Sequence, residues 1–160
     1  MNNDAQPGVQ PGLRKSAEPV NFTLERSVLP MRLHAKRVSA IASGDYFQVH
    51  FDSDERNEDE VDPFAPPAPY VMVQCQFEFF SGGKCHIESD DEEYIGDFKL
   101  NLVEFSSTRF VFEIPEHEHK LIEVSFALTE REFVDARRIV EVIFGIREPF
   151  YEEGNPHEAL

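Results

Sequence analysis

Two histidines, His117 and His119, stand two positions apart and are the first candidates for metal chemistry. On a strand this spacing would direct both imidazoles to one side, where they could bind a transition metal. They follow Pro115 in a polar segment, however, with no third ligand fixed nearby. We therefore expect a solvated turn here, with metal binding by the pair as the alternative.

Adjacent carboxylates are the next candidates, because paired acids can perform general acid–base catalysis. Catalysis of this kind needs one carboxyl group with a raised pKa, which apolar surroundings provide. The run at 90–93 is predicted to lie on an uncovered loop. The segment 52–57 begins like a calcium loop, but it lacks glycine at the sixth position, and Pro63 stands where the closing glutamate belongs. Neither segment predicts catalysis or a bound cation.

Nucleophilic and phosphate-binding motifs are also missing from the sequence. No serine or cysteine stands in a recognisable nucleophile elbow. Gly82 and Gly83 precede a predicted strand that begins at Lys84, whereas a phosphate-binding loop would precede a helix. We therefore predict a protein that is not an enzyme and that needs no cofactor.

The charge of the chain indicates what kind of partner it could bind. The 160 residues carry 31 acidic and 15 basic side chains, a formal net charge of −16. Such a field repels nucleic acid and anionic lipid and speeds encounter with a basic protein. Solubility alone is the other explanation. No basic stretch precedes an apolar run at the start, and no run approaches ~20 apolar residues, so a cytoplasmic protein is expected.

Composition divides the chain into three parts. Residues 1–25 are rich in proline, glycine and glutamine and are predicted to form a disordered tail. Residues 26–146 carry the periodic apolar patterns of a single domain. Residues 147–160 contain Pro149, Gly154 and Pro156 among acidic residues, and they predict a flexible acidic tail.

Alternating apolar and polar residues predict an α+β domain built on a mainly antiparallel sheet. Turn residues separate about seven strands in a meander, and hairpins are expected at Ser43-Gly44 and at Gly82-Gly83. The predicted strands cover residues 31–41, 47–51, 70–80, 84–88, 98–102, 110–114 and 122–128.

One C-terminal helix follows the strands and is predicted to pack on the sheet. Thr129 and Glu132 have the spacing of a capping box, and Gly145 stands where a helix stop requires a left-handed residue. Apolar residues between these limits fall on one helical face.

The two cysteines, Cys75 and Cys85, lie in predicted strands on either side of a hairpin. They could therefore lie near each other. Because a cytoplasmic protein is expected, free buried thiols are the favoured interpretation, and a disulfide is the alternative.

Two acidic loops and two aromatic residues predict a docking surface for a basic protein, with a solvated surface as the alternative. The aromatic residues would supply the buried contacts that carry most of the energy of an interface. The residues predicted to form this docking surface are Asp54, Glu55, Glu58, Asp59, Glu60, Phe64, Tyr70, Asp90, Asp91 and Glu92.

Residues of about 31–145 resemble the immunity protein 10 family of bacterial polymorphic-toxin systems. The similar stretches are an opening strand at 32–40, a second strand at 45–51 with the acidic stretch after it, a central strand at 70–74 that ends in Gln74, a turn at 94–96, and the closing strand and helix at 122–144. The resemblance implies an inhibitor that binds a cognate toxin, here a basic one such as a nuclease. A small-molecule or metal-binding accessory protein is the alternative, and the oligomeric state is left open.

Overall fold

The computed structural model describes residues 30–54, 62–79 and 81–150. The predicted tail at 1–25 lies outside the described residues. In the described part the chain forms nine strands and one α-helix. Their bounds are β1 Met31–His34, β2 Arg37–Ser43, β3 Tyr46–Asp52, β4 Tyr70–Gln76, β5 Cys85–Ser89, β6 Gly96–Phe98, β7 Asn101–Phe105, β8 Arg109–Glu113, β9 Leu121–Ser125 and α1 Glu130–Ile143.

The strands form two sheets, and the predicted α+β class is confirmed. The larger sheet has the order β2-β3-β4-β5-β6, with every neighbouring pair antiparallel. The smaller sheet has the order β1-β9-β8-β7, in which β1 and β9 run parallel. The predicted meander is therefore divided between two sheets. Strands β2 to β6 follow one another in the large sheet, and β7 to β9 do so in the small sheet.

The predicted strand at 31–41 is broken into β1 and β2, which belong to different sheets. The amide of Ala35 donates to the carbonyl of Ser125 in the small sheet at 2.8 Å. The next amide, that of Lys36, donates to the carbonyl of Asp52 in the large sheet at 2.9 Å. The amides of two consecutive residues are thus hydrogen-bonded to different sheets. The apolar alternation changes phase at this point, from the odd residues Leu33 and Ala35 to the even residues Val38 and Ala40. A bulge within one strand would shift the phase in the same way, so the sequence alone does not indicate two sheets.

The core lies where both sheets and the helix meet. Strands β3, β4 and β5 direct every second residue inward, as their apolar alternation predicts. The ring of Phe51 stacks on Phe110 of the small sheet at 5.2 Å between centroids, and Phe110 in turn contacts Phe144 at 5.8 Å. Fully buried members of this core include Phe47, Phe51, Phe110, Phe112, Ile87, Ile122 and Val140.

The predicted helix and its capping box are confirmed. The amide of Glu132 donates to the hydroxyl of Thr129 at 3.3 Å, and the amide of Thr129 donates to the Glu132 carboxylate at 2.8 Å. These bonds lower the pKa of Glu132, the one from the Thr129 backbone most. Gly145, with φ of 69°, ends the helix as predicted.

The packed chain continues beyond the helix to Phe150. Arg147 and Arg137 both form ion pairs with Glu141, at 2.9 and 2.7 Å. The guanidinium of Arg138 lies 4.5 Å from the centre of the Phe150 ring, and Phe150 packs edge to face with Phe47 at 5.1 Å between centroids. The described part of the predicted tail at 147–160 is therefore tied to the helix and to β3.

The predicted central strand at 70–80 is shorter than its apolar pattern indicates. It ends at Gln76, whose side chain bonds the backbone of Phe79 in both directions, at 2.9 and 3.0 Å. The alternation would place Phe77 and Phe79 in the core. They are instead 41% and 66% exposed. The Gln76 side chain closes a local turn that competes with the ladder.

The expectation of free thiols is wrong, because Cys75 and Cys85 form a disulfide. Continuing the β4–β5 register past Gln74 and His86 places the cysteines directly opposite each other. Their Cα atoms are 4.7 Å apart, within the range that a disulfide spans. Both sulfurs lie on the buried face, 3.6 and 3.5 Å from the carbonyl oxygen of Ile143 near the end of α1.

Reduction of this disulfide is expected to destabilise the protein by about 2–3 kcal/mol, the loop-closure entropy for a short loop. The bridge joins residues ten positions apart. Urea unfolding with and without dithiothreitol measures the effect. A Cys75→Ala/Cys85→Ala variant is the control, since dithiothreitol should not change its midpoint. Equal midpoints for the native chain under both conditions would contradict the expectation.

No helix in the described ranges is long and apolar enough to cross a membrane.

Candidate functional site: an acidic end of the large sheet

Three strands of the large sheet place acidic side chains at one end. Because β3, β4 and β5 are antiparallel, the end of β3, the start of β4 and the end of β5 lie side by side. We call this region the acidic end. Its members are Asp52 at the end of β3, Asp54 just after it, Tyr70 at the start of β4, Glu88 in β5, and the acidic residues at 90–93.

Tyr70 links the two acidic loops that the sequence predicted separately. Its amide donates to the carboxylate of Asp90 at 3.0 Å, which extends the β4–β5 ladder with a side-chain bond. Its hydroxyl donates to the carboxylate of Glu88 at 3.1 Å. On its other side Tyr70 is the register partner of Asp52, and it lines a shallow depression together with Asp54.

The loop after β5 is held in one conformation by its own polar groups. The amide of Glu93 donates to the Asp91 carboxylate at 3.1 Å, which caps a short 3-10 helix at Glu92–Tyr94. The buried hydroxyl of Ser89 donates to the carbonyl of Asp91 at 2.8 Å. A preformed loop of this kind loses little conformational entropy when a partner binds it.

His117 fastens this loop to the small sheet. Its Nε2 lies 2.9 Å from the carbonyl oxygen of Glu93, and its ring stacks on Tyr94 at 4.8 Å between centroids. Its Nδ1 accepts the amide of His119 at 3.0 Å. In this geometry Nδ1 is the acceptor, which leaves Nε2 as the nitrogen that can donate to the Glu93 carbonyl.

The candidate metal pair, His117 and His119, does not present two free nitrogens in this geometry, because both His117 nitrogens have hydrogen-bond partners. The two rings lie 6.1 Å apart between centroids. Among the described residues no group of three or more histidine, cysteine or acidic side chains has a metal-binding arrangement.

Glu92 and Glu93 direct carboxylates to solvent at this end. Both side chains are exposed, and within the described ranges neither carboxylate forms a hydrogen bond or ion pair. Asp90 and Asp91, in contrast, each accept a backbone amide. The four adjacent acids therefore divide into two that shape the loop and two that are available to a partner.

Burial, and after it the nearby negative charge, raises the pKa of two tyrosines at this end. Burial raises the pKa of the Tyr94 hydroxyl, and the charges of Asp91 and Glu93 raise it further. Burial also raises the pKa of Tyr70, followed by its hydrogen bond to Glu88 and the nearby charge of Asp90. Burial and negative charge therefore both disfavour a phenolate at these two positions.

Phe64 supplies an exposed aromatic ring on the connection that leads into β4. It is 93% exposed, the most of any large apolar residue in the described ranges. Asp62 fixes the turn that carries it, since its carboxylate accepts the Phe64 amide at 2.9 Å and its carbonyl accepts the Ala65 amide at 3.1 Å. An aromatic ring held outward on a defined turn has the properties of an interface anchor.

The structure thus brings together part of the predicted site. Asp54, Tyr70, Asp90, Asp91 and Glu92 all lie at the acidic end, and Phe64 lies on the adjoining connection. The predicted residues Glu55, Glu58, Asp59 and Glu60 lie outside the described residues.

Three residues of this region were missed in the predicted set. Asp52 lies in the depression with Asp54 and forms an ion pair with Arg37 at 2.7 Å. Glu88 bonds the Tyr70 hydroxyl, and His117 holds the acidic loop. The alternation of β3 and β5 already places Asp52 and Glu88 on the outer sheet face, so both could have been found. His117 is brought in by another sheet, and nothing local in the sequence indicates it.

Comparison with known proteins adds no family to this geometry. No protein-family model matches the chain, and no curated protein matches it. The fold by itself defines a structural class, an α+β protein with two sheets and one packed helix.

Proposed function

We propose that this chain is an immunity protein, which binds a cognate bacterial toxin domain and blocks it by occlusion. The observation that carries the proposal is the acidic end, where a preformed loop presents the exposed carboxylates of Glu92 and Glu93, and where the connection leading into Tyr70 carries the exposed ring of Phe64. The resemblance of residues 31–145 to the immunity protein 10 family supports the same function.

The expected partner is a basic protein, for example a nuclease whose cleft binds phosphate. Long-range attraction between a chain of net charge −16 and a basic surface speeds their encounter. Phe64 and the ring of Tyr70 would then supply contacts that slow dissociation. In this mechanism the immunity protein performs no catalysis and needs no cofactor. It covers the cleft that the toxin uses.

We place this activity in the cytoplasm of the producing cell, where an immunity protein of this kind acts. The cytosol keeps thiols reduced. Each reduced sulfur of Cys75 and Cys85 would then be a thiol within hydrogen-bonding reach of the Ile143 carbonyl. The disulfide form suits an oxidising compartment, so the redox state of these cysteines in cell extracts tests the localisation.

The alternative of a small-molecule or metal-binding accessory protein has weaker support. Its candidate ligand, His117, is engaged by Glu93 and His119.

Co-expression tests the proposed function. The toxin domain encoded beside this chain is induced in a host with and without the full chain, and growth is scored. Rescue of growth, together with a complex that co-purifies, is the expected result. A toxin domain that kills equally with and without the chain would contradict the proposal for that pair. A catalytically dead toxin domain is the control for the cost of expression.

A further inference from the structure

Strand β2 is the least protected edge of the two sheets. Natural sheets protect their edges with short strands, bulges, prolines or charges. Among the described strands, β1 and β6 have four and three residues, and β7 is interrupted by a register shift between Leu102 and Glu104. Strand β2 has seven residues, pairs with β3 without a register shift, and has Arg37 at one end as its one charged residue.

The outward backbone groups of β2 belong to its even-numbered residues. The amides of Ser53 and Phe77 donate to the carbonyls of Pro69 and Asp45 in the continued β3–β4 register, so the odd residues of β3 bond β4, and its even residues, such as Asp52 opposite Arg37, bond β2. In the continuous register the odd residues of β2 therefore bond β3, while Val38, Ala40 and Ala42 direct their N–H and C=O groups away from it. No hydrogen bond satisfies these groups within the described ranges.

We propose that two copies of this chain pair through β2, antiparallel and with a two-fold axis at Ala40. In this register Val38 faces Ala42 of the other copy, and Ala40 faces its own equivalent. Each of these pairs can exchange two backbone hydrogen bonds. On the outer face Arg37 meets Ser43 and Ser39 meets Ile41, so no like charges oppose each other. Ile41, which is 49% exposed, would become covered.

Charges on the neighbouring helix favour the same symmetric arrangement. A groove between β2 and α1 is lined by Ala40, Ala42, Asp135 and Arg138, among others. Because α1 packs over β2 and β3, two-fold pairing places the helices of the two copies antiparallel on one face, roughly 10–14 Å apart, or two to three strand spacings. Asp135 of each copy then approaches Arg138 of the other, so the contact is reciprocal.

Sedimentation velocity on the full chain between about 1 and 200 µM, at roughly 0.3 M salt to screen the repulsion of two acidic chains, tests the pairing. The expected mass rises with concentration toward twice the 18.4 kDa of one chain. An Ala40→Pro variant removes an outward N–H and should remain monomeric, whereas the matched Ala40→Ser variant keeps it and should still pair. Far-UV circular dichroism establishes that the proline variant is folded.

A charge exchange on the helix provides a test that does not depend on proline. Asp135→Arg or Arg138→Asp alone sets like charges against each other and should weaken dimerisation about ten-fold. The double variant restores opposite charges and should recover most of the loss. A native chain that stays monomeric throughout, or a dimer indifferent to these substitutions, overturns the proposal.

The dimer and the proposed immunity function can fail separately. The paired edge is β2, whereas the acidic end comprises the ends of β3, β4 and β5. A monomeric Ala40→Pro variant that still rescues growth from the toxin would support both. If it were monomeric and failed to rescue, the site assigned to the toxin would be wrong while the pairing through β2 would stand.

Discussion

Replacing Phe110 with alanine is expected to lower the free energy of unfolding by about 3–5 kcal/mol, the range for removing a buried aromatic ring. Phe110 has no exposed surface. Its ring contacts Phe51 of the large sheet, Phe112 of its own sheet and Phe144 beside the helix, at 5.2, 4.9 and 5.8 Å between centroids. The cavity left by the substitution would therefore face all three parts of the fold, and none of them could fill it alone.

Equilibrium unfolding in urea, monitored by far-UV circular dichroism, measures this loss. Phe64→Ala is the matched control, because the same atoms are removed from a ring that is 93% exposed, and we expect a change within about 0.5 kcal/mol. A loss below about 1 kcal/mol for Phe110→Ala would show that the two sheets and the helix do not share one core.

Reversing the charge of Glu92 and Glu93 is expected to slow association with a basic toxin domain by about ten-fold or more at low salt. Among the described residues neither carboxylate has a hydrogen bond or ion-pair partner, so Glu92→Lys/Glu93→Lys should leave the stability nearly unchanged. The substitutions do, however, remove negative charge from the surface where the toxin is proposed to dock, so the electrostatic attraction there is weaker. Stopped-flow measurement of the association rate at several salt concentrations gives the effect.

The matched control is Glu78→Lys/Glu148→Lys, which changes the total charge equally at two exposed residues outside the acidic end. At about 0.1 M salt the control should lower the rate much less, because the field of an exposed charge is screened within about 10 Å there, whereas at lower salt the two double variants should become more alike. If both double variants slow association equally, net charge alone is responsible, and the acidic end is not the docking site. Growth rescue by the same variants provides an independent measure.

Much of the fold could be predicted because its signals are local. The helix is specified by Thr129, Glu132 and Gly145, three residues that act within a few positions of themselves. The strands β3, β4 and β5 follow from apolar alternation, since the backbone of a strand turns every second side chain inward. Hairpin glycines, such as Gly44 with φ of 57°, mark the turns between them.

The candidate site was predictable only in its composition. Acidic residues and two aromatic side chains indicated a basic partner, but their grouping depends on which strands are neighbours. Tyr70 joins the acidic loops because β4 lies between β3 and β5. His117 reaches Glu93 from a loop of the other sheet, across 24 positions of sequence. No local sequence pattern indicates a contact between residues so far apart in the chain.

The sequence by itself therefore determined the class, the capped helix, the central strands and the acidic character of the protein, because these depend on periodicity, capping and composition. The tertiary structure alone decided three further features. These are the division of the chain between two sheets at Ala35 and Lys36, the pairing of Cys75 with Cys85, and the meeting of the acidic loops around Tyr70. Each depends on strand order and register, which arise from packing between segments that are distant along the chain.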